Sequence, residues 1–231
     1  MQQSCVEKLE LELRINGEWK GFPGYCLNCA PTTNGEILEA EVVVFDSHTD
    51  YQREDISFVA GKAVILLSVH FPSEEAYRRM MVANPAFLLM VDTRYTGTAP
   101  LGDGLFPAYV EKYSAVPWVD VAYFDAWNWV KGKTDKARLK IIGSTRTSMS
   151  VNVVAEIPGT DSDAGILLYG GHHDTQAGTC GADDNAIGCA VTLELARVLS
   201  QRPHRNTLRF ICFGAEEMLS VGSASYVRMH R

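Results

Sequence analysis

From Ser148 onward, apolar runs of strand length alternate with segments of helical pattern, and this alternation constrains the fold more than any other feature of the chain. Val151 to Ile157 reads as a strand, stopped by Pro158-Gly159, and Gly165 to Tyr169 reads as another. Ala186 to Ser200 has a helical pattern, with Glu194 and Arg197 facing outward three positions apart. Leu208 to Phe213 is a third strand, and a second helix begins near Ser223. Strands alternating with helices predict an α/β domain with a mostly parallel sheet, whose ligands bind beyond the carboxyl ends of the strands.

The chain before about Arg146 follows a different pattern, strands with two short helices. Leu9, Leu11, Leu13 and Ile15 alternate with Glu10, Glu12 and Arg14, the period of a half-buried strand. Asn16-Gly17 follows as a two-residue hairpin turn. Further strands are expected over Gly35 to Phe45, Lys62 to Leu67, Phe87 to Val91 and Val116 to Val121. Helices are expected from Pro72-Ser73-Glu74-Glu75 through Met81 and over Tyr123 to Val130, with a Gly/Pro-rich loop at Thr96 to Pro107. Trp19, Trp118, Trp127 and Trp129 read as core or interface residues. The domain boundary therefore falls between residues 1–146 and 147–231.

Composition narrows the function. Lys+Arg 21 against Asp+Glu 28 leaves a net charge of −7, with no basic block to grip a phosphate backbone, so nucleic acid is not an expected partner. No apolar run is long enough to span a bilayer. The polar, acidic start Met1 to Glu12 lacks the features of a secretory signal, so the chain reads as cytoplasmic or as lacking its natural N-terminus. Cys189 and Cys212 lie in apolar stretches and read as buried free thiols, which suits a reducing compartment. Cys26 and Cys29 form an isolated C-x-x-C with no second pair, and read as loop cysteines without a metal or redox role. Oligomeric state is not legible.

Chemistry concentrates in three clusters at element ends. Gly170-Gly171-His172-His173-Asp174-Thr175 follows an apolar strand, Gly181-Ala182-Asp183-Asp184-Asn185-Ala186-Ile187-Gly188 precedes a helix, and Gly214-Ala215-Glu216-Glu217 follows another apolar strand. Taken singly, an Asp-Asp pair before a helix is an ordinary N-cap, and a Glu-Glu pair after a strand is an ordinary solvated loop. Together they bring two histidines and five carboxylates to one sheet edge, where the charges would repel without cations. Imidazole with carboxylate and no thiolate suits zinc, with manganese or cobalt as substitutes.

In order and spacing, these motifs resemble the co-catalytic two-zinc exopeptidases, the family of bacterial leucyl aminopeptidase, glutamate carboxypeptidase II and the non-catalytic transferrin receptor. The resemblance spans about Ser150 to Tyr226. It implies a phosphorylase/hydrolase-like α/β fold binding two Zn2+ and a peptide substrate. It implies His172 as a ligand of the first zinc, Asp184 as the bridging carboxylate and Glu217 as a ligand of the second. Asp174 is then the carboxylate that orients the His172 imidazole. Glu216 is the general base, taking a proton from the water held between the metals. His173 and Asp183 are not expected to ligate, and the Asp184-Asn185 peptide bond is expected to be cis. The family's two remaining ligands lie well downstream of Glu217, so a chain ending at Arg231 is expected to be a fragment, or one half of a two-chain protein. An aminopeptidase is the leading expectation; a carboxypeptidase or dipeptidase, or a non-catalytic interaction protein, are the alternatives. The order of elements over Val42 to Ile142 resembles the protease-associated domain, a module set into several exopeptidases.

Overall fold

Alternation of Leu9, Leu11, Leu13 and Ile15 with charged neighbours builds the first strand, β1 (Gln2–Ile15). The computed structural model describes residues 2–68, 71–91, 93, 107–176 and 179–230. The chain divides into two units, Gln2–Thr147 and a second holding Ser148–Arg231. At the end of β1, Asn16 (φ 53°) and Gly17 (φ 86°) turn the chain so that Ile15 pairs with Glu18 of β2 (Glu18–Phe22). Both residues are left-handed, as a hairpin turn that matches strand twist requires.

The first unit continues through β3 (Tyr25–Cys26), β4 (Leu38–Asp46), β5 (Ala63–Leu67), α1 (Glu74–Ala83), β6 (Phe87–Val91), α2 (Pro107–Tyr113), β7 (Trp118–Val121), α3 (Tyr123–Lys131) and β8 (Thr134–Thr147). These strands form one sheet in the order β2-β1-β8-β4-β5-β6-β7-β3. Strands β4 to β7 pair in parallel, and β1, β2, β3 and β8 join antiparallel. Every residue of β6 is buried, as parallel strands covered on both faces demand. Helix α1 is capped by Ser73, whose Oγ accepts the Ala76 N–H at 3.1 Å, and it ends at left-handed Asn84. Its buried residues, Ala76, Tyr77, Met80 and Met81, recur at helical spacing and so share one face.

Trp118 and Trp129 are core residues, while Trp127 is exposed on α3 and Trp19 is half-buried beneath the Arg138 guanidinium, 3.9 Å from the ring centre. The sequence reading assigns no element to β8, yet its Ala137, Leu139 and Ile141 are fully buried and pair it to β1 over its whole length. Helix α2 is likewise unassigned. The Gly/Pro-rich segment from Thr96 up to residue 106 lies outside the described residues. Cys26 closes β3 rather than lying in a loop, and Cys29 follows with φ 63°. Neither thiol is part of a disulfide among the described residues, and burial raises both pKa values, that of Cys26 to about 12, which keeps them inert.

The second unit comprises β9 (Val153–Ile157), β10 (Ile166–His172), α4 (Ile187–Leu199), β11 (Thr207–Phe213) and α5 (Val221–Met229). Its sheet runs β10-β11-β9. Strands β10 and β11 are parallel, joined by the α4 crossover, and their last residues, His172 and Phe213, pair with each other. Strand β9 is antiparallel to β11. The expected mostly parallel sheet is thus mixed among the described strands, because only β10 and β11 have a helix between them to bring the chain back. Strand β10 also runs three residues past the expected Tyr169, so His172 ends a strand rather than opening a loop. The sheet can continue through Gly170 and Gly171 because Gly171 lets α4 approach; a Cβ there would lie 2.8 Å from the Gly188 carbonyl carbon. Cys189 and Cys212 are free as expected, but half-buried rather than buried, since each lies on a face that its neighbours only partly cover. Among the described residues no helix is long and apolar enough to cross a membrane.

Candidate metal centre

The parallel pairing of β10 and β11 sets the site, because it brings both carboxyl ends to one edge. His172 is the last residue of β10, Glu216 and Glu217 follow β11, and Asp184 lies in the turn of Ala182–Ala186 that leads into α4. The ligand atoms of His172, Asp184 and Glu217 lie within 4.8 Å of one another. Among the described residues this is the one group of three or more such side chains that could hold an ion. His173 and Asp183, by contrast, are exposed, and the His173 ring is taken up by the Val151 carbonyl at 3.0 Å.

The imidazole of His172 is oriented from below. Its Nδ1–H donates to the Asp174 backbone carbonyl at 3.0 Å, and Nε2 faces Asp184 Oδ1 at 2.9 Å and Glu216 Oε2 at 3.7 Å. That tautomer leaves the Nε2 lone pair free for a cation. Asp174 lies beside this ring, but its carbonyl, rather than the carboxylate expected from the resemblance, makes the hydrogen bond; Oδ1 is 3.7 Å from Nδ1. The carboxylate instead accepts the N–H groups of Glu216 and Glu217, each at 3.1 Å. Two charge-assisted bonds to a tight turn win over one to an imidazole already satisfied by a carbonyl. Asp174 thus orients three groups, His172 through its backbone and Glu216 and Glu217 through its side chain.

Two further residues that the sequence left without a role hold the frame. Thr175 Oγ1 donates to the Asp184 carbonyl at 3.0 Å, tying the turn that carries Asp184 to the end of β10. Asn152 accepts the Gly214 N–H at 3.1 Å and donates to the Gly222 carbonyl at 3.0 Å, closing the Glu216-Glu217 loop onto α5. The Asp184-Asn185 peptide bond is cis, as the resemblance implies. The closure requires glycine at position 222, where a Cβ would lie 2.0 Å from the Gly214 carbonyl oxygen and 2.7 Å from Asn152 Oδ1. Gly222→Ala is therefore expected to destabilise the second unit by at least about 1–3 kcal/mol, the scale of forced overpacking. Denaturant titration measures it, and an unchanged midpoint would refute the close approach.

Electrostatics follow from crowding. Burial alone would hold His172 neutral, but the Asp174 carbonyl and the Glu216 and Asp184 carboxylates outweigh it and raise the imidazole pKa above its ordinary 6.5. Burial, then the charges of Asp184 and Glu216, raises Glu217 above its ordinary 4.5. Glu217 Oε1 is buried with no hydrogen-bond partner, an atom a metal would satisfy. Imidazole and carboxylate donors at this spacing fit zinc. Both groups hold protons more tightly folded than unfolded, so the metal-free protein binds more protons when native. The contribution of His172 to stability is full below 6.5 and that of Glu217 below 4.5, and each is lost as pH rises through the higher folded value. With chelator present, the thermal midpoint should fall as pH rises above 6.5 and His172 deprotonates. Zinc, which needs both groups deprotonated, should bind more tightly over the same rise in pH. Calorimetry with and without chelator tests both signs, and a chelated midpoint that rises with pH would contradict the first.

An α/β sheet edge carrying an imidazole and two carboxylates around one point, with a further carboxylate beside them, is a donor set that could hold a divalent metal ion. Residues 152–231 match the sequence model of Peptidase family M28. The probable lipoprotein aminopeptidase LpqL of Mycobacterium tuberculosis is 35% identical over 99 residues, which cover 42% of this chain and 20% of that protein. Carboxypeptidase Q of Bos taurus is 38% identical over 85 residues, covering 36% of this chain and 18% of its own. The solved structure of a zinc aminopeptidase from Bacillus subtilis is similar over 99% of this chain and 54% of that one, with a TM-score of 0.71 at 23% identity, a likeness of fold. The chain thus spans about half the length of that structure, and its sequence matches cover about a fifth of the curated relatives.

Proposed function

We propose that the protein is a zinc-dependent exopeptidase, an aminopeptidase that removes N-terminal residues from peptides. The convergence of His172 Nε2, Asp184 and Glu217, with Glu216 Oε2 3.7 Å from the same Nε2, carries this reading. His172 would hold one ion, Glu217 a second, and Asp184 both. Bound zinc would polarise the scissile carbonyl and make a water acidic enough to attack near neutral pH. Glu216 takes the proton from the attacking water and returns it to the leaving amine. Asp174 holds the Glu216-Glu217 turn and the His172 ring in register, so that the base and the ligands keep one geometry. The first unit, with parallel β4 to β7 and helices α1 and α2 in its crossovers, is proposed to be a protease-associated-like module with a role in substrate access or partner contact.

A carboxypeptidase is the second reading, favoured by the likeness to carboxypeptidase Q. Hydrolysis of an aminoacyl chromogenic substrate, measured against an N-acylated dipeptide with a free carboxylate, separates the two. A protein that binds zinc yet hydrolyses neither would be an interaction protein, and the enzyme reading would fail.

A further inference from the structure

We propose that Ser220 is a positioning residue for Glu216, holding one carboxylate oxygen so that the other faces the metal space. The inference rests on the exopeptidase reading above and adds a residue to it. Ser220 stands at the N-cap of α5, where a serine hydroxyl ordinarily accepts a backbone N–H from the first helical turn. Its hydroxyl caps no such group. It donates instead to Glu216 Oε1 at 3.1 Å.

The backbone is shaped to allow this. Ala215 (φ 54°), Leu219 (φ 64°) and Ser220 (φ 56°) are all left-handed, a conformation costly for residues with a Cβ. They coil the chain around Glu216, so that the Ser220 N–H donates to the Glu216 carbonyl at 2.7 Å and the Val221 N–H to the Ala215 carbonyl at 3.0 Å. Asp174 takes the Glu216 N–H. Glu216 is therefore held at its N–H, at its carbonyl and at one carboxylate oxygen. Oε2 alone is left to turn toward His172 Nε2. A glutamate otherwise free at three side-chain torsions is reduced to one orientation, and a base must be within hydrogen-bond reach of the proton it abstracts.

Left-handed backbone gives a clean variant. Ser220→Gly removes the hydroxyl at a position where glycine is unstrained, so the fold loses nothing from the backbone. In the full-length zinc-loaded protein, kcat is expected to fall about tenfold, equivalent to about 1.4 kcal/mol. KM, zinc content and thermal midpoint should hold, the midpoint unchanged or higher. Ser220→Asn, which tolerates the left-handed region and restores a donor, should recover part of kcat. Wild-type kcat in Ser220→Gly, or a loss that only tracks zinc content or folded fraction, overturns the proposal. Absence of chelator-sensitive hydrolysis in the unaltered protein sinks the exopeptidase reading and this inference with it, and that result is seen before any variant is made.

Discussion

Glu216→Gln is expected to leave zinc bound while lowering turnover on the order of 10²–10⁴-fold, the usual contribution of a general base. The amide has the shape of the carboxylate, so Oε1 can still accept from Ser220 and the backbone bonds to Asp174 and Ser220 persist. The proton acceptor is what disappears. Glu216 is not among the three side chains that meet within 4.8 Å, so the metal donor set is untouched. The variant therefore separates chemistry from metal binding: zinc per chain, read by atomic absorption, should match the unaltered protein while kcat collapses. Near-normal turnover would assign the base elsewhere, and loss of zinc would make Glu216 a ligand.

The convergence of His172, Asp184 and Glu217 was legible in the sequence because each sits in a motif at a strand or helix end, and such ends converge in a parallel crossover. What was not legible is how they are held. Asp174 offers two oxygen types within reach of His172, and only the structure decides that the carbonyl makes the bond while the carboxylate turns to Glu216 and Glu217. Ser220 carries no signal of its role in the sequence, since nothing in its neighbours announces left-handed backbone at Ala215, Leu219 and Ser220. A serine at φ near −60° would cap α5; at +56° its hydroxyl is aimed back at Glu216.

The fold shows the same division. Strand β1 and the hairpin at Asn16-Gly17 were readable from local alternation and turn chemistry. Strand β8 alternates too, Ala137, Leu139 and Ile141 against Lys136, Arg138 and Lys140, but what makes it a strand is pairing with residues more than a hundred positions away, Leu139 with Leu11. Such pairing depends on closure of a long loop, which no local window reports. Strand β9 was readable as a strand, but it lies antiparallel to β11, because the chain from Ile157 to Ile166 carries only the short helical turn Ser162–Ala164 and no crossover helix to restore parallel order.

Asp184→Ala should have the largest effect on the metal. On the proposed reading Asp184 is shared by both ions, so one substitution removes a protein ligand from each. Loss of a group that merely supports a ligand costs about 10–100-fold in metal affinity, and loss of the ligand itself should exceed that. Zinc at 100 times its dissociation constant stabilises the native state by about 2.7 kcal/mol; weakened 100-fold, the same concentration contributes only about 0.4 kcal/mol. The zinc-dependent rise in thermal midpoint should therefore nearly vanish. The metal-free variant should not suffer in parallel. The Asp184 side chain is 74% exposed, so its bond to His172 is worth little in water. Its charge, moreover, is one of those that push the Glu217 carboxyl upward, and removing it relieves that crowding. The two calorimetric traces should thus diverge: unchanged with chelator, strongly separated with zinc. A variant that keeps the full zinc shift would show that Asp184 is not a ligand, and a variant equally destabilised with and without zinc would make it a structural residue of the turn before α4.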